Sequence, residues 1–436
     1  MNTNWFNQSI FYHIYPLGFC GCPEKNNYTI DSIETLLKIE EWIPHIKSLG
    51  IDALYLGPLF ESESHGYDTV DYYSVDRRLG SNETLKRVIK SLHSNGLKVV
   101  LDGVFNHTSR DFFAFKDIIA NRENSRYLNW YREVSFNNGI HCYCWNGHNN
   151  LPAFNLQNEE VLNYLMGVVD FWVKEFDLDG IRLDVADVLD FGFMKRLSSH
   201  VKTVKEDFWL MGEVIHGDYS HWVKPEILHS TTNYECYKGM YSSFNDTNFF
   251  EIAYSLKRQF NTSNGIYKNL NLYNFVDNHD VNRIASTLKN SAHIYPLHIL
   301  MYTVPGIPSI YYGSEWGIEG NKDNNKDSVV RPNLNLDNMS RNYSRDLIKT
   351  IQQLSYVWHV TDALKYGNYN EVFVSSDCFA FTREYDNKKV LVVINSSFDE
   401  KNPGELANYK GFDILNNENI RSVNVSPSWG RVVILD

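Results

Sequence analysis

The sequence predicts an α/β protein built on a closed (β/α)8 TIM barrel, with a subdomain inserted after the third strand and an antiparallel β domain towards the C-terminus. Three observations carry this expectation. Short apolar runs alternate with amphipathic helical patterns through most of the 436 residues. Such strand and helix units recur about eight times, the number that closes a barrel. The last ~70 residues then change to the two-residue alternation of antiparallel strands.

The strand-like runs are Phe11–Pro16, Ile51–Pro58, Leu97–Phe105, Leu178–Val185, Phe208–Val214, Leu272–Asp280 and Gly306–Gly313. These are apolar stretches of the kind a parallel sheet buries on both faces. One strand is missing between Val214 and Leu272, and Asn233–Tyr241 is the candidate for it. Among the helices, a cap near Ser81–Asn82 precedes Leu85, Val88, Ile89 and Leu92 on one face, and Asn95–Gly96 stops the pattern. The rhythm breaks from about Thr108 to Asn155, where aromatic, Asn and charged residues follow without period. So long a connection reads as an inserted functional subdomain. After the eighth strand, Leu347, Ile348, Ile351 and Leu354 mark a helix, and alternation around Asp386–Asn387 marks a hairpin. The resulting division is a barrel of residues 1–107 and 156–360, an insertion of 108–155 and a C-terminal β-sandwich of 361–436.

Composition narrows the function classes. Hydrophobic residues make up 43% and charged residues 22%, the profile of a folded globular chain. Asp and Glu number 53 against 41 Lys and Arg, a net charge of -12, which repels polyanions and argues against a nucleic-acid partner. No stretch approaches the roughly 20 apolar residues that span a bilayer. The N-terminal residues do not read as a secretory signal, so the expectation is a cytoplasmic protein with no membrane partner and an oligomeric state left open. Of the six cysteines, Cys20 with Cys22 and Cys142 with Cys144 form close pairs. Their C-x-C spacing is weaker than a paired C-x-x-C, and reduced, partly buried thiols are expected.

Charges gather where the strands end. In Gly180–Asp187, alternation puts Arg182 and Asp184 on one face and Ile181, Leu183 and Val185 on the other. In a barrel the helices cover the apolar face, so the charged one points inward near the C-terminal mouth, where barrel enzymes carry out chemistry. Three other strands end the same way, with Asp102, Asn106 and His107, with Glu213, and with Asp277, Asn278, His279 and Asp280. Asp and Glu also cap helices that follow strands, but caps alone do not bring Arg182, His107 and His279 to the same ends. His279 and Asp280 are adjacent, so the chain must leave strand geometry to aim both at one centre.

At these residues the sequence resembles the α-amylase family of glycoside hydrolases. Its signature segments appear in order as Asp102–His107, Gly180–Asp187, Gly212–His216 and Phe275–Asp280, supported by His65–Tyr73 and Leu151–Asn155. The look is nearest to the cyclomaltodextrinase, neopullulanase and maltogenic amylase group. Members of that group act on short maltodextrins, cyclodextrins or pullulan and carry an extra N-terminal domain, whereas here the first strand begins by about Tyr12.

The resemblance implies Asp184 as nucleophile, Glu213 as general acid and base, and Asp280 as the carboxylate that holds substrate hydroxyls. It implies Arg182 as the partner of Asp184, His107 and His279 as sugar-binding groups, Tyr67 as a stacking ring and Asp102 as a brace. Asp187 and Val188 stand where many α-amylases have Lys-His, which leaves Asn106 as the remaining candidate ligand for Ca2+; no cofactor is expected to be required.

The residue types suit glycosidic cleavage, which needs one carboxylate at the anomeric carbon and one protonated acid at the leaving oxygen. Arg182 is expected to lower the pKa of Asp184, and like charge to raise that of Glu213. Aromatics, 14% of the chain, cover the apolar faces of sugars, and Tyr67, Trp145 and Phe154 lie in segments expected near the cleft. The reading is therefore a retaining α-glucan hydrolase, with a transglycosylase or a non-catalytic glucan-binding protein as alternatives. Linkage and chain-length preference stay open.

Overall fold

Eight short parallel strands close on themselves in the computed structural model, which describes residues 4–322 and 326–436. They are β1 (Phe11–Ile14), β2 (Ala53–Leu56), β3 (Lys98–Gly103), β4 (Gly180–Leu183), β5 (Trp209–Gly212), β6 (Ser230–Thr231), β7 (Tyr273–Asn274) and β8 (Ile307–Tyr311). Hydrogen bonding links them in the order β6-β5-β4-β3-β2-β1-β8-β7, and a parallel bridge from Thr232 to Tyr273 joins the two ends.

The strand alternation sorts side chains between two separate cores. Leu54, Leu56, Val99, Leu101, Ile181 and Leu183 face outward and join the large cluster under the helices. Phe11, Tyr55, Val100, Trp209, Met211 and Ile307 fill the barrel interior. Arg182 pairs in register with Asp102 on one side and Met211 on the other, so its side chain enters the barrel above that inner layer.

The missing strand is not Asn233–Tyr241. Sheet pairing is made by the two-residue β6, and Tyr234–Asn245 is a helix capped by the Asn233 side chain, which accepts from the Cys236 N–H. Tyr234, Tyr237 and Tyr241 follow helical spacing, and the first two pack on Phe275 at 5.0 and 5.1 Å between ring centroids. The helix Asn82–Ser94 forms as expected, closed by a capping box between Ser81 and Thr84.

The insertion leaves β3 and returns to it. Ala153 bridges His107, and the Phe154 N–H donates to the Asn106 carbonyl at 2.9 Å, so Leu151–Asn155 is stitched to the end of β3. Towards the C-terminus, β9 (Asn368–Val374), β10 (Cys378–Tyr385), β11 (Lys388–Asn395), β12 (Gly411–Asp413), β13 (Glu418–Ile420) and β14 (Trp429–Leu435) form one antiparallel sheet. It is a single sheet and not the expected two-layer sandwich. One face, with Phe379, Phe381 and Val392, packs into the main core, while Leu391, Val393 and Val433 on the other are covered by Leu406 from a short 3-10 helix and by Val423 and Val425 from the segment before the last strand. Asp386 and Asn387 form the hairpin turn with φ of 48° and 60°, as a two-residue turn of twisted strands requires. Among the described residues no helix is long and apolar enough to cross a membrane.

Candidate active site

The guanidinium of Arg182, 2% exposed, answers why charge sits inside β4. Its Nη1 lies 2.8 Å from both Asp102 Oδ1 and Asp184 Oδ1, and its Nη2 lies 2.8 Å from Glu213 Oε2. One buried cation therefore holds three carboxyl groups delivered by three neighbouring strands. Buried charge is tolerable only when paired in this way. The remaining oxygen of Asp102 accepts from the hydroxyls of Tyr55 at 2.9 Å and Tyr67 at 3.0 Å, which fixes Asp102 as a brace beneath the cluster.

Asp280 completes the cluster from β7, which ends at Asn274, so the chain has left strand geometry before His279 and Asp280, as their adjacency requires. Asn278 Oδ1 accepts from the Asp280 N–H at 2.8 Å and the Val281 N–H at 3.2 Å, a turn that points the Asp280 carboxylate into the cleft. His279 Nε2 lies 2.9 Å from Asp280 Oδ2 and also meets the Tyr67 hydroxyl. Arg331 reaches Asp280 Oδ1 at 2.9 Å and donates through Nε to the His279 carbonyl at 2.9 Å.

Asp184, Glu213 and Asp280 line one cavity of about 340 Å³ together with Tyr67, His107 and Trp145. The structure thus brings the three acids to a single opening. His107 donates through Nε2 to the Tyr67 carbonyl at 3.0 Å, and burial lowers its pKa to about 4, so it is neutral. The Trp145 ring sits 5.6 Å from that of His107 at the cavity wall. A second cavity of about 830 Å³ adjoins the first through His65, Asp327 and Arg331 and runs past Tyr15, Leu17 and Pro332, so the cleft continues beyond Asp280.

The electrostatics depart from the sequence expectation at one acid. Burial pushes the Asp184 carboxyl well above the ordinary range, and the pull of Arg182 in the opposite direction is outweighed; Arg182 alone was expected to lower it. Glu213 is raised as expected, but burial is the main cause, with Asp280 adding to it and Arg182 opposing. Burial acts to raise Asp280 too, yet His279 and Arg331 bring it below the ordinary range. Asp184 and Glu213 are therefore both shifted upward while Asp280 is shifted downward, which sets the Asp280 carboxylate apart from the other two.

One expected residue takes another place. Phe154 is 2% exposed and stacks on Tyr131 at 5.2 Å, so it is core of the insertion and not a cleft ring. The Asn106 amide donates to His107 Nδ1 at 3.1 Å, and among the described residues no group of three or more His, Cys, Asp or Glu side chains is placed to hold a metal ion. All six cysteines are free, with Cys142 and Cys144 Sγ 3.4 Å apart.

Sequence reasoning missed Arg331 and Tyr234. Arg331 lies in a loop after β8 with no periodic pattern around it, whereas Tyr234 stood in the segment misread as a strand. Its helical spacing to Tyr237 and Tyr241 was the available signal.

A barrel whose strand ends converge three carboxyl groups on one cleft, two of them sharing a buried arginine, has the acid groups that glycosidic cleavage needs and defines the class of the glycoside hydrolases. The family model of the alpha amylase catalytic domain matches residues 14–371, and the chain belongs to the α-amylase family. It is 31% identical to a cyclomaltodextrinase of Thermoanaerobacter pseudethanolicus, over 90% of this chain and 71% of that protein. It is 30% identical to a maltogenic alpha-amylase of Bacillus acidopullulyticus, over 90% of this chain and 70% of that one. A solved cyclomaltodextrinase superposes with a TM-score of 0.85 at 25% identity, covering 99% of this chain and 78% of that structure.

Proposed function

We propose that the protein hydrolyses α-1,4-glucosidic bonds, with α-1,6 as a second linkage, in maltodextrins and cyclodextrins by a retaining double displacement. The observation that carries this is the sharing of one guanidinium between Asp184 and Glu213. Two carboxyl groups tied to two nitrogens of one arginine favour the short separation of retaining enzymes, roughly 5–5.5 Å, over the wider inverting one.

In this reading Asp184 attacks the anomeric carbon while Glu213 protonates the departing oxygen. Glu213, now ionised, then takes a proton from the water that breaks the glycosyl ester and frees Asp184. Asp280, kept ionised by His279 and Arg331, takes the substrate hydroxyls and balances the positive charge of the transition state. His107 and His279 hold the same sugar, Tyr67 lies beneath it and Trp145 offers a ring at the rim. The second cavity gives room for further sugar units beyond Asp280. Six free thiols suit a reducing compartment, which supports a cytoplasmic location.

The test is the product profile on maltotriose, β-cyclodextrin, pullulan and starch, with the anomer of the first product read by proton NMR. Release of the α-anomer supports the reading and the β-anomer refutes retention; longer products from maltotriose identify transfer over hydrolysis. Glu213→Gln and Asp184→Asn are each expected to reduce turnover by ~1,000-fold or more with an unchanged circular dichroism spectrum. Near-normal activity in either variant refutes the roles given.

A further inference from the structure

The two oxygens of Glu213 are not equivalent. Oε2 is fully engaged, with Arg182 Nη2 at 2.8 Å and the Val185 N–H at 3.2 Å. Val185 follows Asp184 and holds φ at +43°, a left-handed conformation that is uncommon for a β-branched residue and that goes with this aim of its N–H. Two donors on Oε2, one of them charged, leave no place there for a proton. The proton of the neutral acid belongs on Oε1.

Among the described residues Oε1 has one hydrogen-bond partner, the Tyr234 hydroxyl at 3.3 Å. The direction of that hydrogen bond follows from Asn278. Its Oδ1 already accepts two backbone N–H groups in the Asp280 turn, so its amide nitrogen is the end that faces Tyr234, and it donates to the Tyr234 hydroxyl oxygen at 3.0 Å. The Tyr234 proton is then free to point at Glu213 Oε1. Burial holds the Tyr234 phenol well above its ordinary range, so it keeps that proton.

We infer that Tyr234 is a positioning residue for proton transfer, fixing Oε1 of Glu213 as the oxygen that gives up and regains the catalytic proton. The inference rests on the proposed retaining reaction. In the first step the proton leaves Oε1 for the glycosidic oxygen as the C–O electron pair passes to that oxygen, and the Tyr234 hydroxyl donates to the new carboxylate. In the second step Oε1 takes a proton from water, and Tyr234 ends as it began. Because Tyr234 bonds the ionised form better than the neutral one, it eases release of the proton.

The experiment compares Tyr234→Phe with the unaltered full chain by kcat/KM on maltotriose and on 4-nitrophenyl α-maltoside, whose leaving group needs little protonation. Loss of one long hydrogen bond to a charged group is expected to cost about 10-fold on maltotriose and under about 2-fold on the nitrophenyl substrate. The basic limb of the pH profile is expected to move upward. Equal losses on both substrates, or an unmoved limb, overturn the inference. If the unaltered protein cleaves neither substrate, the proposed function is what fails. Infrared titration of the Glu213 carboxyl, identified by its absence in Glu213→Gln, then decides the matter, since a higher Glu213 pKa in Tyr234→Phe supports the inference and an unchanged one overturns it.

Discussion

Replacing Arg182 by Met removes the cation and keeps most of the side-chain volume above Tyr55. Three carboxyl groups then lose a donor at 2.8 Å each, in a place where the arginine was 2% exposed. Breaking a buried pair leaves an uncompensated charge worth ~3–5 kcal/mol, and protons are the one available relief. Asp184 and Glu213 already sit above their ordinary range through burial, with Arg182 opposing, so removing Arg182 raises both further.

The sign follows from linkage. Between the unfolded carboxyl pKa of about 4 and the raised folded one, the native chain binds more protons than the unfolded chain, so stability falls as pH rises through that window. The melting temperature of Arg182→Met is expected to lie roughly 5 °C below that of the parent at pH 7.5 and to approach it as the pH is lowered to 5. Turnover on maltotriose is expected to fall by ~100- to 1,000-fold at neutral pH, because Asp184 is held neutral and cannot attack. Differential scanning fluorimetry across pH and a reducing-sugar assay measure the two effects. A melting-temperature difference that is independent of pH would show that Arg182 packs and does not compensate charge.

Two further outcomes are expected. Trp145→Ala should raise KM for maltotriose by ~2- to 10-fold, the value of one aromatic contact at about 0.5–1.5 kcal/mol, with kcat little changed; an unchanged KM returns the ring to the wall of the insertion. Dialysis against EDTA should leave both turnover and melting temperature unaltered, and a loss restored by added Ca2+ would instead place a hard cation near Asn106.

The parts of this molecule that were legible in sequence are those where a periodic pattern is broken by charge. Arg182 and Asp184 interrupt an apolar strand, and the strand period alone puts them on the inner face, where they are found. The carboxylates at the ends of β3, β5 and β7 were legible for the same reason. The sixth strand was not, because β6 contributes two buried residues, Ser230 and Thr231, too few to display any period. The tyrosines after it then drew attention as a strand, although Asn233 caps them as a helix. Arg331 was invisible because its place is set by tertiary contact, its guanidinium lying over the Tyr15 ring at 4.5 Å and against Asp280. The fall in Asp184 acidity escaped for a related reason. Sequence shows that Arg182 is near, but only the fold shows how completely water is excluded.

That exclusion bears on how the proposed cycle conserves charge. The proposed cycle requires Asp184 as the anion when it attacks and Glu213 as the neutral acid, against the upward push that burial gives Asp184; once the glycosyl ester has formed, Asp184 is neutral and Glu213 carries the charge. Both sit 2.8 Å from the same guanidinium, on different nitrogens, so one negative charge stays beside Arg182 in both states and only its position shifts. A cation fixed to one carboxylate alone would stabilise one half of the cycle and oppose the other. In a site with little water, where charge is costly to reorganise, a donor already oriented to both acids lowers the barrier in each direction. Asp102, held by Tyr55 and Tyr67 and outside the proton exchange, keeps the arginine in place while that charge crosses.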